Sequence, residues 1–370
     1  MESQRLRVVI LTAWYPTKSN STFGIFIKEQ AAALALHHDV TLVAILRRPS
    51  VSRVEQQQGQ LHTIVIHDPL LALTNKGKLR RWSQIAEREV KAMEATRPID
   101  IIHLHDMHPV SAAPSLRQCT EAPVVATIHN TDFSLGLVKH SYVGPLRAGL
   151  QSCDQVIAVG EPLRQVLVRE YGASSTTVVP NMIDTERFIL GTPPANTKEL
   201  IVVASLRPVK RLRSVIKAMA LLKDDSVRLH IAGDGPLLQE LTELVVQLGL
   251  EHKVRLHGAV SRADLPKLMQ QCMINVCVSE VETFGIAAME GLSAGLPLVY
   301  SRSGLEMLVP DYAGVCTDGS SQAIADAVMH IINNYDSYDQ ERLRQYVVER
   351  YGHSHVTNAL TRLYLQLTQA

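Results

Sequence analysis

The stretch Ser279–Pro297, Ser-Glu-Val-Glu-Thr-Phe-Gly-Ile-Ala-Ala-Met-Glu-Gly-Leu-Ser-Ala-Gly-Leu-Pro, decides how this chain is read. It follows an apolar run, Ile274 to Val278, that predicts a buried strand. Glu282, Thr283, Phe284 and Gly285 form a turn, and from Ile286 the residues Ala287, Ala288, Met289, Glu290, Leu292 and Ala294 favour helix. Gly295 suits the left-handed position past a helix end, and Pro297 breaks any continuation. Leu298 to Tyr300 is the next strand. A helix start beside a glycine presents free N–H groups to an anion. Carboxylates beside such a site, here Glu282 and Glu290, can hold sugar hydroxyls.

Working outward, the same rhythm fills the C-terminal half. Strands are expected at Leu200–Ala204, Val227–Ala232 and Val254–Leu256, with helices at Leu212–Leu222, after Pro236 to about Leu248, and at Asp264–Gln271. A basic loop, Ser205 to Arg211, carries Arg207 and Lys210 after the first strand, and Gly233-Asp234-Gly235 follows the second. The N-terminal half repeats the pattern. Val8–Thr12, Val40–Leu46, Ile99–Leu104, Pro123–Ile128 and Val156–Val159 read as strands, with helices from Gly24 to Leu36, Asn75 to Arg97 and Leu163 to Tyr171. His129 stands just past a strand's C-terminal end, where open α/β sheets bind ligands. Gly191 to Thr197, with Pro193 and Pro194, reads as a linker.

A chain of 370 residues exceeds one ordinary core, and two domains are expected. The expected fold class is α/β: two Rossmann-like doubly wound domains facing a central cleft, over residues 1–185 and 186–353. A final helix, 354–370, with Val356, Leu360, Leu363 and Leu365 as its apolar positions, is expected to pack back on the N-terminal domain.

Several classes are set aside. A net charge of +1 lacks the basic excess of a nucleic-acid binder. The five cysteines form no Cys-x-x-Cys pair and read as small buried residues. The apolar run Val8–Ala13 is too short for a signal-peptide core, and no stretch approaches a membrane span. The cytoplasm is the expected compartment. His103, His105, Asp106 and His108 suggest a metal cluster, but alternation along a strand sends neighbours to opposite faces, so no metal is expected there. The glycines at 233 and 235 lack the dinucleotide spacing, and no Walker A lysine motif is present. The helix Asn75–Arg97 carries seven Lys and Arg residues around Trp82. A solvated face is the leading account of it; contact with an anionic surface at the inner face of a membrane is the alternative.

Together these residues resemble the retaining GT-B glycosyltransferases of family 4, the glycosyl transferases group 1. Glu282 and Glu290, with Phe284-Gly285 between them, match that family's E-x7-E pattern, and Pro180-Asn181 with Asp184 match its hinge motif. Arg207 and Lys210 resemble the basic pair that holds the donor diphosphate. Ile231 to Leu237 is similar to its Ala-Gly-Asp-Gly-Pro segment, and His129 stands where a histidine contacts the donor sugar. Departures are Ser205 for an arginine, Met182 for the hinge glycine, Asn130 for the glycine after the histidine, and Leu305 for the second glycine of the Gly304 turn.

The resemblance implies transfer of a sugar from a UDP- or GDP-linked donor to a glycan, lipid-linked or small-molecule acceptor, with retention and without metal or other cofactor. It assigns His129, Lys210, Arg207 and Glu282 to catalysis. Gly24, Arg207, Lys210, Gly233, Val260, Glu282, Thr283, Phe284, Gly285 and Glu290 go to donor binding, with Glu290 on the ribose, Glu282 on sugar hydroxyls and Val260 near the base. No Asp-x-Asp occurs, which agrees with the diphosphate being held by cations and backbone donors. A nucleotide-sugar epimerase of similar architecture and a non-catalytic nucleotide-sugar-binding subunit are the competing expectations.

Overall fold

The computed structural model describes residues 5–17, 22–69, 74–191 and 198–369. These divide into two compact units, one of 1–182 with 353–370 and the other of 183–352.

The N-terminal unit is built on β1 (Arg7–Thr12), α1 (Ile25–Ala35), β2 (Asp39–Arg47), β3 (Ser52–Gln58), β4 (Leu61–Asp68), α2 (Asn75–Glu94), β5 (Ile101–His105), α3 (Met107–Ser111), α4 (Ala113–Leu116), β6 (Val124–Ile128), α5 (His140–Gln151), β7 (Gln155–Ala158), α6 (Glu161–Tyr171) and β8 (Thr176–Val178). Its sheet runs β3-β4-β2-β1-β5-β6-β7-β8. All neighbours are parallel except β3, which pairs antiparallel with β4. The central strands are apolar almost without interruption because helices cover both faces of a parallel sheet. The hairpin β3–β4 is an addition to the expected elements. Strand order reverses between β1 and β5, so their C-terminal ends form the switch point at which such sheets bind ligands.

The C-terminal unit contains β9 (Lys198–Val203), α7 (Leu212–Leu221), β10 (Val227–Ala232), α8 (Leu238–Gln247), β11 (Val254–Gly258), α9 (Leu265–Met269), β12 (Ile274–Cys277), α10 (Ile286–Ser293), β13 (Leu298–Ser301), β14 (Gly314–Thr317), α11 (Ser321–Asn333) and α12 (Gln340–Tyr351). The sheet order is β11-β10-β9-β12-β13-β14, every pair parallel, with its switch point between β9 and β12.

One expectation needs correction. The division of the chain falls between Met182 and Ile183, not at Gly191–Thr197 or at 185. Phe188 is already sealed in the C-terminal core, and Gly191 lies so close to the Gln270 backbone that a Cβ there would sit 2.4 Å from it. The two prolines that suggested a linker, Pro193 and Pro194, lie outside the described residues. The last helix, α13 (His353–Thr368), packs on the N-terminal core as expected: Val356, Leu360 and Tyr364 are buried in it, and Leu363 and Leu365 lie partly buried against it. Trp82 and the apolar residues of α2 are core, with the Trp82 indole N–H donating to the Ile45 carbonyl at 3.3 Å, while Lys76, Arg80, Arg81, Arg88 and Lys91 are exposed, as a solvated face requires. Arg81 and Arg88 of the helix are paired with Asp68 and Glu89, and Arg97, past the helix end, with Asp39. No helix among the described residues is long and apolar enough to cross a membrane.

Candidate active site

The switch point of the C-terminal sheet explains which side chains meet. β9 and β12 are neighbours, so the loop that leaves β9 and the loop that leaves β12 emerge side by side. The first carries the 3₁₀ turn Pro208–Lys210; the second carries Ser279 to Gly285. The Glu280 N–H donates to the Val209 carbonyl at 2.8 Å, and the Glu282 N–H to the Ser303 carbonyl at 2.7 Å. These bonds bring Lys210 Nζ to 2.6 Å from Glu282 Oε1, across 72 residues of sequence. The pair is largely desolvated, with side-chain exposures of 21% and 10%. Burial works against the Lys210 ammonium, but the Glu282 carboxylate outweighs it, and the lysine's pKa lies above its ordinary value. The Cys277 thiol lies 3.8 Å from the same carboxylate oxygen, and burial pushes that thiol up to about 12.

Glu282 leads through buried Thr283 and Phe284 into α10. Gly285 sits at φ 77 as the N-cap residue, a conformation that suits glycine, and the helix opens at Ile286. Phe284 packs edge-on against Tyr351 at 5.1 Å. One turn on, Glu290 is only 2% exposed, and it pairs with Arg262, which projects from the loop after β11. Val260, in the same loop, packs against the cluster of Phe188, Ile201 and Met269. Arg207, unlike Lys210, is exposed. At Gly233 a Cβ would stand 1.8 Å from the Ala204 carbonyl oxygen, so packing between the β9 and β10 loops demands glycine there whatever else it does.

In the N-terminal unit Gly24 caps α1 at φ 70, and a Cβ there would meet the Trp14 backbone at 2.4 Å. His129 is buried at the end of β6, with Phe26 against its ring at 4.8 Å and His105 stacked on it at 5.2 Å. Its Nδ1 donates to the Asn181 side-chain oxygen at 2.9 Å, which leaves Nε2 to accept from His105 Nδ1, also at 2.9 Å. Burial drives His129 down to about 3 and His105 well below its usual range, so both are neutral at physiological pH.

His103 and His105 are two apart, share one face of β5, and their rings lie 4.3 Å from each other. His103 is occupied by Tyr364 and Thr127, at 2.6 Å each. Among the described residues no three His, Cys, Asp or Glu side chains are arranged to hold a metal ion. Asp106 follows at φ 70, with Oδ1 accepting from the Met107 N–H and Oδ2 buried without a partner among the described residues.

Two family models match the chain. Glycosyl transferases group 1 covers residues 183–350, and Glycosyltransferase Family 4 covers residues 24–187. The chain belongs to the group 1, family 4 glycosyltransferases. Curated relatives of this glycosyltransferase include N-acetyl-alpha-D-glucosaminyl L-malate synthase of Bacillus anthracis, 25% identical over 80% of this chain and 78% of that protein. Another is a GDP-mannose:cellobiosyl-diphosphopolyprenol alpha-mannosyltransferase of Xanthomonas campestris, 27% identical over 71% of this chain and 73% of the relative. Among solved structures, a sucrose-phosphate synthase from Thermosynechococcus elongatus superposes with a TM-score of 0.82 over 99% of this chain and 100% of that one, at 18% identity. The Anabaena protein HepE, in complex with UDP and glucose, gives 0.75 over 97% and 99%, again at 18% identity. The fold of the glycosyltransferase is GT-B.

The structure brings together Lys210 with Glu282, and Glu290 with Arg262. Arg262 was not among the expected site residues. Its one sequence signal is its place two residues beyond Val260, in a loop after a strand; nothing local marks it as the partner of a glutamate 28 residues on. His105 and Asn181 likewise acquire their bearing on His129 only through the fold.

Proposed function

We propose that this glycosyltransferase moves a sugar from a UDP- or GDP-linked donor to a glycan, lipid-linked or small-molecule acceptor with retained configuration, without a metal. The observation that carries this reading is the pairing of Lys210 with Glu282 at the β9/β12 switch point, beside the start of α10. A cation, a glycine-capped helix start and two buried carboxylates supply what a nucleotide diphosphate sugar needs: charge for the leaving diphosphate, backbone donors for its oxygens, and acceptors for hydroxyls. Lys210 would leave Glu282 for the diphosphate as the donor enters, freeing the carboxylate for the sugar; exposed Arg207 would add charge. Glu290 takes the ribose, and Val260 lies near the base. His129, oriented by Asn181 and His105, is proposed to contact a sugar. The displacement is same-face, the departing phosphate oxygen taking the acceptor proton, so no protein nucleophile is required. The relatives whose names print a GDP-mannose donor and a polyprenol-linked acceptor support the donor and acceptor classes.

Incubation with labelled donors, read as nucleotide release with and without a chelator, tests the proposal. Lys210→Ala should lower turnover by about a hundredfold or more, the scale of one transition-state charge donor. Because this change leaves Glu282 buried and unpaired, thermal unfolding is followed alongside. Near-normal turnover in the variant removes Lys210 from the chemistry, and turnover abolished by the chelator overturns the metal-free mechanism. Peripheral contact with an anionic membrane is proposed through exposed Lys76, Arg80 and Lys91 of α2. It predicts binding to anionic vesicles at low salt that high salt reverses, and no binding at low salt rejects it.

A further inference from the structure

We infer that Arg262 is a positioning residue that governs recognition of the donor's ribose, acting through Glu290. The inference rests on the reading that Glu290 takes the ribose diol. At 2% exposure, the Glu290 carboxylate lies at a depth where a lone charge is too costly to keep. The Arg262 guanidinium donates from Nη1 to Glu290 Oε1, itself mostly buried at 17% side-chain exposure.

Three features hold Arg262 in place. Its loop is locked by Ser261, whose Oγ donates to Asp264 Oδ2 at 2.6 Å and accepts from the Asp264 N–H at 3.1 Å. Its guanidinium lies 4.9 Å from the centre of the Phe188 ring, a cation–π distance. Phe188 is itself pinned, its carbonyl accepting from Ser293 Oγ on α10 and from Arg344 Nη1 on α12, both at 2.7 Å. A vicinal diol binds a carboxylate through two O–H donors, and does so best when the carboxylate is ionised and its plane is fixed. Arg262 places a positive charge beside the carboxylate and hydrogen-bonds one of its two oxygens. A lysine would keep the charge but not the planar fork.

The test uses the full chain and compares UDP and GDP with their 2′,3′-dideoxy forms by calorimetry. Wild type should favour the ribose form of its preferred nucleotide by about tenfold or more. Arg262→Gln should bring that ratio below about threefold, Glu290→Gln should do the same, and Arg262→Lys should fall between. A merely structural role would weaken both ligands equally and preserve the ratio, so a folded Arg262→Gln protein with the wild-type ratio overturns the inference. If that variant does not fold, Arg262→Lys decides: an undiminished ratio overturns the inference and a reduced one supports it. Wild type that binds neither nucleotide overturns the donor reading itself, and the inference with it.

Discussion

Asp106 shows how much of this protein is set by single buried groups. It has a left-handed φ of 70, is 3% exposed, and keeps one carboxyl oxygen without a partner among the described residues. Burial raises its pKa to about 8, the Met107 N–H opposes that, and Asp132 adds to it. The folded chain therefore holds a proton that the unfolded chain has released above about pH 4. The stabilisation is complete below that value and is lost as pH rises through about 8, at up to about 1.4 kcal/mol per pH unit. Asp106→Asn should flatten this loss in urea titrations at pH 5 and pH 8.5; a variant that tracks wild type at both values refutes the account. His103 and His129 act in the opposite sense, since burial holds both near 3. Their contribution is complete above about 6.5 and is lost as pH falls toward 3. Glu282 and Glu290 stand out as candidates from residue type and spacing alone. The strain and orphaned oxygen of Asp106 do not, because both exist only once neighbouring elements have buried it.

At the scale of elements, two glycine-capped helix starts do similar backbone work with different freedom to yield. A Cβ at Gly285 would meet Leu305 Cδ2 at 2.5 Å, the far end of a flexible side chain. A Cβ at Gly24 would meet the Trp14 backbone carbon and oxygen, both at 2.4 Å. Gly285→Ala should thus cost about 1–3 kcal/mol, chiefly the positive-φ strain, and Gly24→Ala clearly more. Urea midpoints compare them, and equal losses would show that the backbone contact is not decisive. Leu305, which departs from the family's glycine, is fully buried and lies against Gly285, so its first consequence is packing. The strand–turn–helix–strand of Ile274–Ser301 was readable because its signals are local. β3 was not, since Ser-Arg-Val-Glu-Gln-Gln-Gln is an exposed edge strand with almost no apolar alternation. α5 contains Pro145 and two glycines that argue against a helix, yet Gly149 lets it approach the Val110 carbonyl to a distance that any Cβ would forbid. Tertiary packing overrides propensity there.

For the molecule as a whole, the chain leaves the N-terminal unit at Met182 and returns to it at His353. α13 then contributes Val356, Leu360 and Tyr364 to the core, with the Tyr364 hydroxyl 2.6 Å from His103 Nδ1 and Thr361 bonded to His38 at 2.8 Å. Each buried side chain is worth about 1.5–3 kcal/mol, and a domain's whole stability is about 5–15 kcal/mol. Truncation after Gly352 should therefore abolish the cooperative transition of the N-terminal unit while that of residues 183–352 persists in calorimetry. An unchanged melting profile would show that α13 is dispensable. The sequence by itself determined the alternation of strands and helices and the glycine-capped start of α10, with two glutamates flanking it as candidates, because periodicity and turn chemistry act over a few residues. Only the tertiary structure decided that Glu282 meets Lys210 and Glu290 meets Arg262, and that the chain crosses between units before Ile183. Those facts follow from strand order and burial: β9 lies beside β12, and a buried carboxylate takes whichever cation the fold delivers to it.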